Sequence, residues 1–323
     1  MPSRSPGLLR PAHVVREVPL ALLREFLPPD SASLPPFTFL HPGAFFLFSE
    51  RLEYTRETTD AAGPILLART CDGATFLPLP PLPFFHEDSS PRERGRLLAG
   101  IFAEISRRGN SPPPFLENCP LGLLPEGPFR FEIGEREVAI SSCTLLYPRG
   151  NAGRRLRWEK NRLERLYGPV QVRRIAPGEK DSVRDLCRRF SDSRRSVACD
   201  DLERFLATDM ERAFEKALDP VWEESLEGWL LEGGGRILAV GWYGRALSGR
   251  ALLAYLEARE ETVSNAGTVL MRGVLASGES LPGSSEVSWI NIGGGAGLGG
   301  VRHSKKIRPH DLVLPLMRVV AGG

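Results

Sequence analysis

Apolar residues recur at helical spacing most clearly at Leu97, Leu98, Ile101, Phe102 and Ile105, which mark one buried face of a helix over 91–108. Ser90 before Pro91 supplies an N-cap, and Glu93 completes a capping box. Upstream, Leu20–Phe26 reads as a short helix, and Phe37, Phe39, Phe45, Phe46 and Phe48 read as core. Strand-like runs follow near 51–57, 64–70 and 73–78, with Asp72-Gly73 as a hairpin turn. The pattern then predicts a helical piece near 116–124 and strands at 128–133 and 136–142. Beyond these it predicts helix 153–167, strand 169–174 and helices 179–191 and 201–218. Strands at Trp229–Leu231, Arg236–Tyr243 and Arg250–Ala258, helix 266–277, strand Glu286–Asn291, helix 298–306 and strand Leu312–Val319 complete the chain.

The second half therefore reads β-α-α-β-β-β-α-β-α-β. That order departs from alternating βαβ units and so from a dinucleotide-binding sheet. A mixed sheet flanked by helices fits it, in an order that resembles GNAT-type acyltransferases. Composition adds limits. The 323 residues are 41% hydrophobic and 25% charged, ordinary for a folded chain of two domains. Lys plus Arg is 42 against 40 for Asp plus Glu, so no chain-wide basic field is present and bulk DNA binding is not expected. No apolar run has the length of a bilayer span, so no integral membrane segment is expected and the sequence reads as cytoplasmic. The five cysteines form no Cys-x-x-Cys pair, and no two of the five histidines stand at i, i+4, so neither a disulfide framework nor a metal site is indicated. Cys187 and Cys199 read as buried structural residues.

Three segments carry a resemblance. The first is Gly153-Arg154-Arg155-Leu156-Arg157-Trp158-Glu159-Lys160-Asn161-Arg162-Leu163. The second is Tyr255-Leu256-Glu257, followed by Gly267. The third is Trp289-Ile290-Asn291 with Gly297, Gly300, Val301, Arg302 and Lys305. Together they resemble the phosphatidylglycerol lysyltransferase-like family, specifically the soluble relatives of that enzyme's C-terminal domain. The resemblance spans nearly the whole chain. It implies an α+β fold of two tandem GNAT-like domains, each a mixed β-sheet flanked by helices, over 1–167 and 168–323. It also implies acyl or aminoacyl transfer. The sequence departs from the family at Gly293 and Gly295, where relatives carry acids, and at Ala258, where they carry lysine.

The chemistry of these residues is consistent with that reading. Arg149–Arg174 holds nine cations against Glu159 and Glu164. Within it, Arg154, Arg157 and Asn161 share one helical stripe that can face an anionic substrate. Gly267 opens the helix whose N-terminus would seat the pyrophosphate of an acyl-CoA. Gly297 and Gly300 lie in a run of six glycines in eight residues, followed by Arg302 and Lys305, a potential anion nest. Glu257, late in an apolar strand, suits either an ion pair or general-base work, and Asn291 either a substrate hydrogen bond or a turn cap. Glu257 and Asn291 are thus the candidate catalytic residues. The expected donor is acyl-CoA or aminoacyl-tRNA and the acceptor an amine or hydroxyl. No cofactor is required, acyl-CoA entering only as co-substrate. A non-catalytic GNAT-fold binding protein for a nucleotide, CoA or RNA end is the alternative.

Overall fold

The structure is a computed structural model and describes residues 23, 25–28, 35–47, 52–70, 73–86, 88–108, 113–219, 225–247, 249–263, 266–277, 287–293 and 311–322. It contains eleven described strands: β1 Leu52–Thr59, β2 Gly63–Thr70, β3 Thr75–Leu77, β4 Phe115–Pro120, β5 Phe129–Ser141, β6 Val170–Arg174, β7 Glu227–Gly233, β8 Arg236–Ala246, β9 Ala251–Arg259, β10 Trp289–Asn291 and β11 Leu312–Ala321. Its helices are α1 Gly43–Phe46, α2 Pro91–Arg107, α3 Ser142–Leu146, α4 Gly150–Tyr167, α5 Lys180–Ser196, α6 Asp201–Ala217 and α7 Ala266–Ala276.

The chain forms two compact units, and their division does not follow the expected 167/168 boundary. One unit takes Met1–Phe26, Ser49–Glu132 and Met317–Gly323; the other takes Leu27–Phe48 and Ile133–Leu316. The basic helix α4 belongs to the second unit because Leu163 joins Trp229, Leu231 and Leu238 in that unit's core.

In the first unit β1 and β2 form an antiparallel hairpin from Leu52↔Thr70 to Thr59↔Gly63. Antiparallel β3 follows β2, and parallel β4 follows β3. Helix α2 starts as the sequence predicts. The Ser90 side chain accepts from the Glu93 N–H at 3.2 Å, and Glu93 accepts from the Ser90 N–H at 2.8 Å. Its apolar face, Leu98, Ile101, Phe102 and Ile105, packs on Ile65, Leu67, Leu77 and Leu116. Each such buried side chain contributes about 1.5–3 kcal/mol before entropy is counted.

Two expectations are corrected here. The helical piece at 116–124 is strand β4 followed by a 3-10 turn at Leu121–Leu123. Pro120 cannot stand inside a helix, and Phe115 and Leu116 instead complete the parallel pairing with Phe76 and Leu77. The two short strands at 128–133 and 136–142 are one strand, β5, that runs through Gly134. Pairing overrides the weak local preference of glycine.

Within the second unit the strand order is β5-β10-β9-β8-β7-β6, β5 taking part through residues 133–141. Pairs β6–β7, β7–β8 and β8–β9 are antiparallel, β9–β10 is parallel and β10–β5 is antiparallel. This is the mixed sheet the element order predicts. Helix α7 brings Leu270 and Met271 to Trp229, Leu231 and Tyr243, while Phe214 of α6 meets Trp242, 5.6 Å between ring centroids. Trp242 and Tyr243 are neighbours on β8, so alternation sends them to opposite faces. Cys187 is buried and its thiol pKa is pushed up by that burial, but Cys199 is exposed, contrary to expectation. It lies in the exposed turn before α6.

Edge strand β6 is held by Arg173, which donates to Glu179 at 2.7 Å and to Glu232 at 3.0 Å. The guanidinium holds the Glu179 carboxyl down at about 2, from an ordinary 4.5. The folded value lies below the unfolded one, so this contribution is present above the unfolded value and is lost as pH falls through the folded one. Urea unfolding compared at about pH 5 and about pH 2.5 should therefore show a smaller acid loss in Arg173→Met than in wild type. An identical pH dependence would remove Arg173 as the cause.

Candidate functional site

The site is built where β9 and β10 part. Their parallel pairing ends at Asn291↔Leu253, while β9 continues to Arg259. The continuing residues include Tyr255 and Glu257. At this divergence the backbone of Pro36–Thr38 meets three strands. Thr38 N–H donates to Glu137 of β5 at 2.9 Å, and the Thr38 hydroxyl donates to the other oxygen of the same carboxylate. The Tyr255 hydroxyl donates to the Thr38 carbonyl at 2.7 Å. Asn291 Nδ2 donates to Glu137 at 2.6 Å and to the Pro36 carbonyl, while Asn291 Oδ1 accepts from Gly293 N–H at 2.6 Å. His41 completes the cluster: its Nδ1 accepts from Gly43 N–H at 3.0 Å, and its ring lies 5.7 Å from that of Tyr255.

Burial decides what this cluster does. Asn291 is 0% exposed and Glu137 3%. Burial, and then the nearby Glu137 charge, push the Tyr255 hydroxyl well above its usual range. The proton therefore stays on Tyr255 and serves the Thr38 bond. Both amide protons and the carbonyl oxygen of Asn291 are engaged, and a buried carboxylate needs such donors. Asn291 is thus a clasp that fastens Pro36–Thr38 to β5 and β10, and no capacity remains on it for a substrate carbonyl.

Glu257 is differently placed. It is half-buried, and its carboxylate lies against the backbone of Gly267 in the first turn of α7. A Cβ on Gly267 would stand 1.9 and 2.2 Å from its two oxygens. The sequence motifs that join Glu257 to Gly267 thus meet in space. Glycine leaves the space of a side chain free, and the carboxylate fills it. A negative group at this helix end is favoured by the macrodipole and the unpaired N–H groups of the first turn.

Arg154, Arg157 and Asn161 all lie on the exposed side of α4, as the stripe predicts, and Arg154 donates to Asn151. The middle of α4 borders the turn between β9 and α7: Trp158, Arg162, Leu166 and Thr262 line a crevice of about 10 Å³, room for about one water. The predicted helix 298–306, with Gly297, Gly300, Arg302 and Lys305, lies outside the described residues, as does most of the helix predicted at Leu20–Phe26. Among the described residues no group of His, Cys, Asp and Glu could hold a metal ion, and no helix is long and apolar enough to cross a membrane.

Sequence reasoning missed Glu137. It stands in the run Glu135-Arg136-Glu137, which reads as a solvated strand edge. Its partners Thr38 and Asn291 are 99 and 154 residues away.

No family model matches the sequence, and no curated protein matches it. Solved structures do. A conserved protein of unknown function from Bacteroides thetaiotaomicron superposes with a TM-score of 0.71 at 14% identity, over 95% of this chain and 98% of that one. The C-terminal domain of a candidate lysylphosphatidylglycerol synthetase from Agrobacterium fabrum gives 0.53 at 12%, over 87% and 88%. L-PGS from Bacillus licheniformis gives 0.53 at 12%, over 85% of each chain. The chain shares the fold of the lysylphosphatidylglycerol synthetase C-terminal domain. The resemblance drawn from three short segments is thus met by the fold.

Proposed function

We propose that this chain is a GNAT-type aminoacyl transferase, taking its aminoacyl group from an aminoacyl-tRNA and passing it to an amine or hydroxyl acceptor. One observation carries the choice of donor over acyl-CoA: the Glu257 carboxylate lies on Gly267 at the head of α7. A fixed negative charge there repels a pyrophosphate and suits the α-ammonium of an aminoacyl ester. The acceptor's nitrogen or oxygen attacks the ester carbonyl and the nucleotide hydroxyl leaves. The attacking atom loses one proton and the leaving oxygen gains one, so the step balances without a cofactor. In this reading Glu257 orients the donor through its ammonium, and the Asn291–Glu137 clasp positions the strands around it.

Calorimetric titration with acetyl-CoA and with an aminoacyl-nucleoside analogue of the tRNA end tests the donor. The analogue should bind and acetyl-CoA should not, and Glu257→Gln should weaken the analogue about tenfold or more, the scale of one lost charge-assisted contact. Binding of acetyl-CoA by the wild-type chain, or an unaffected Glu257→Gln, would falsify this choice. The second reading, a binding protein without turnover, is favoured by the complete engagement of Asn291. It stands if the analogue binds and no labelled amino acid is ever transferred.

A further inference from the structure

The function proposed above needs the aminoacyl end near Glu257 but says nothing of where the rest of a nucleic acid rests. The outward face of α4 combines several exposed cations with an exposed indole. Its buried side is set by Leu156, Glu159 and Leu163. With 3.6 residues per turn, the opposite side collects Arg154, Trp158, Asn161 and Arg165, with Arg157 and Arg162 at its margins and Leu166 beyond Arg162. All of these are exposed. Trp158 is 52% exposed and Leu166 60%, and the Arg162 guanidinium lies over the Trp158 ring at 5.4 Å. Within the helix, Glu159 pairs with Arg155 at 2.8 Å and Glu164 with Lys160 at 3.5 Å, on the flanks of this face.

We infer that this face of α4 is a docking surface for RNA, with Trp158 as a stacking platform for an unpaired base and Arg154, Arg157 and Arg165 as phosphate contacts. The inference rests on the aminoacyl-tRNA reading for its biological partner, but on charge and shape for its site. An exposed indole ringed by arginines offers a π-face to a base and cations to its backbone. A lipid surface is the poorer fit. An interfacial helix needs a broad apolar face, and Leu156 and Leu163 are buried in the core, which leaves Trp158 and Leu166 alone outside. The crevice beside Trp158, which Thr262 also lines, puts this surface next to the turn that leads into α7 and Gly267.

The test uses the full chain and three probes: deacylated bulk tRNA, a single-stranded RNA oligonucleotide and anionic phospholipid vesicles. Both RNAs should bind, with log affinity falling against log salt at a slope of about −2 to −3, as for three or four phosphates. Trp158→Ala should weaken RNA binding about tenfold at every salt concentration, the scale of one lost base stack, and Trp158→Phe should retain most of it. Arg157→Glu with Arg165→Glu should flatten the slope. These side chains are exposed, so unfolding midpoints should not move. RNA affinity unchanged in all variants, a salt-independent affinity, or vesicles that bind and displace the RNA would each overturn the inference. Transfer from the aminoacyl-nucleoside analogue, too small to reach across α4, is scored separately. If it proceeds while the α4 variants bind RNA like wild type, only the docking surface is wrong. If docking holds and no amino acid is transferred, only the catalytic reading is wrong.

Discussion

Asn291→Ala is expected to destabilise the chain by about 3–5 kcal/mol in chemical denaturation, the range for removing one partner of a buried charged contact. Three bonds end at this amide, two from Nδ2 and one to Oδ1. Alanine would leave the Pro36 carbonyl and a Glu137 oxygen without that donor in a place where water does not reach, since Asn291 itself is 0% exposed. The loss is a desolvation cost, larger than the net worth of the bonds themselves. Asn291→Asp sharpens the test. It keeps the shape but sets a second carboxylate 2.6 Å from the first, where the amide nitrogen now stands. Two such groups cannot both ionise cheaply, so this variant should be weakest near neutral pH and recover as acid returns a proton to the pair. A residue with a purely catalytic role would show loss of turnover at unchanged stability. If Asn291→Ala unfolds at the wild-type denaturant midpoint, the clasp is wrong and the catalytic reading of Asn291 regains its standing.

Gly153→Ala should be the second costly change, at about 2–4 kcal/mol, although alanine is the better helix former. A Cβ there would stand 2.1 Å from the Pro148 carbonyl oxygen and 2.8 Å from its carbon. These are backbone atoms at the entry to α4 and cannot swing aside. Gly267→Ala makes a comparison of similar closeness with the opposite outcome. Its Cβ meets the far end of the Glu257 side chain, which can rotate away, so stability should fall little while binding of the aminoacyl analogue falls with the displaced carboxylate. A thermal shift series on the two alanine variants separates them. Equal destabilisation of both would mean that Glu257 is locked as rigidly as backbone. Gly153, which opens the first family-like segment, is therefore a packing requirement of the chain's turn into α4 rather than a ligand contact.

The site was legible in part. Glu257 and Gly267 were singled out together, and the structure joins them, because strand β9 runs into α7 through a short turn and their meeting is local. The stripe of Arg154, Arg157 and Asn161 was legible for the same reason: helix geometry alone puts them on one side. For Asn291 the sequence leaves two roles open, a substrate contact or a turn cap, and its Oδ1 takes the Gly293 N–H as a turn cap does. Its amide has the chemistry of a substrate contact, and only its neighbours reveal that both amide protons are taken and that the oxygen already accepts from Gly293. Glu137 was not visible at all, since a charged residue between Arg136 and Val138 carries no sign of burial.

What the sequence by itself determined about this protein is whatever depends on near neighbours. The capped helix α2, the antiparallel pair β2 and β3, the order of the described elements after α4 and the cationic side of α4 all follow from spacing, turn residues and capping. The tertiary structure alone decided that Pro36–Thr38 lies against β5, β9 and β10, and that β4 and the full length of β5 are strand. It also decided that α4 packs with the unit that follows it. Each of these depends on groups far apart in the chain, whose pairing is chosen by the need to satisfy buried carbonyls, amides and a carboxylate at once. A pattern read along the chain has no term for that need.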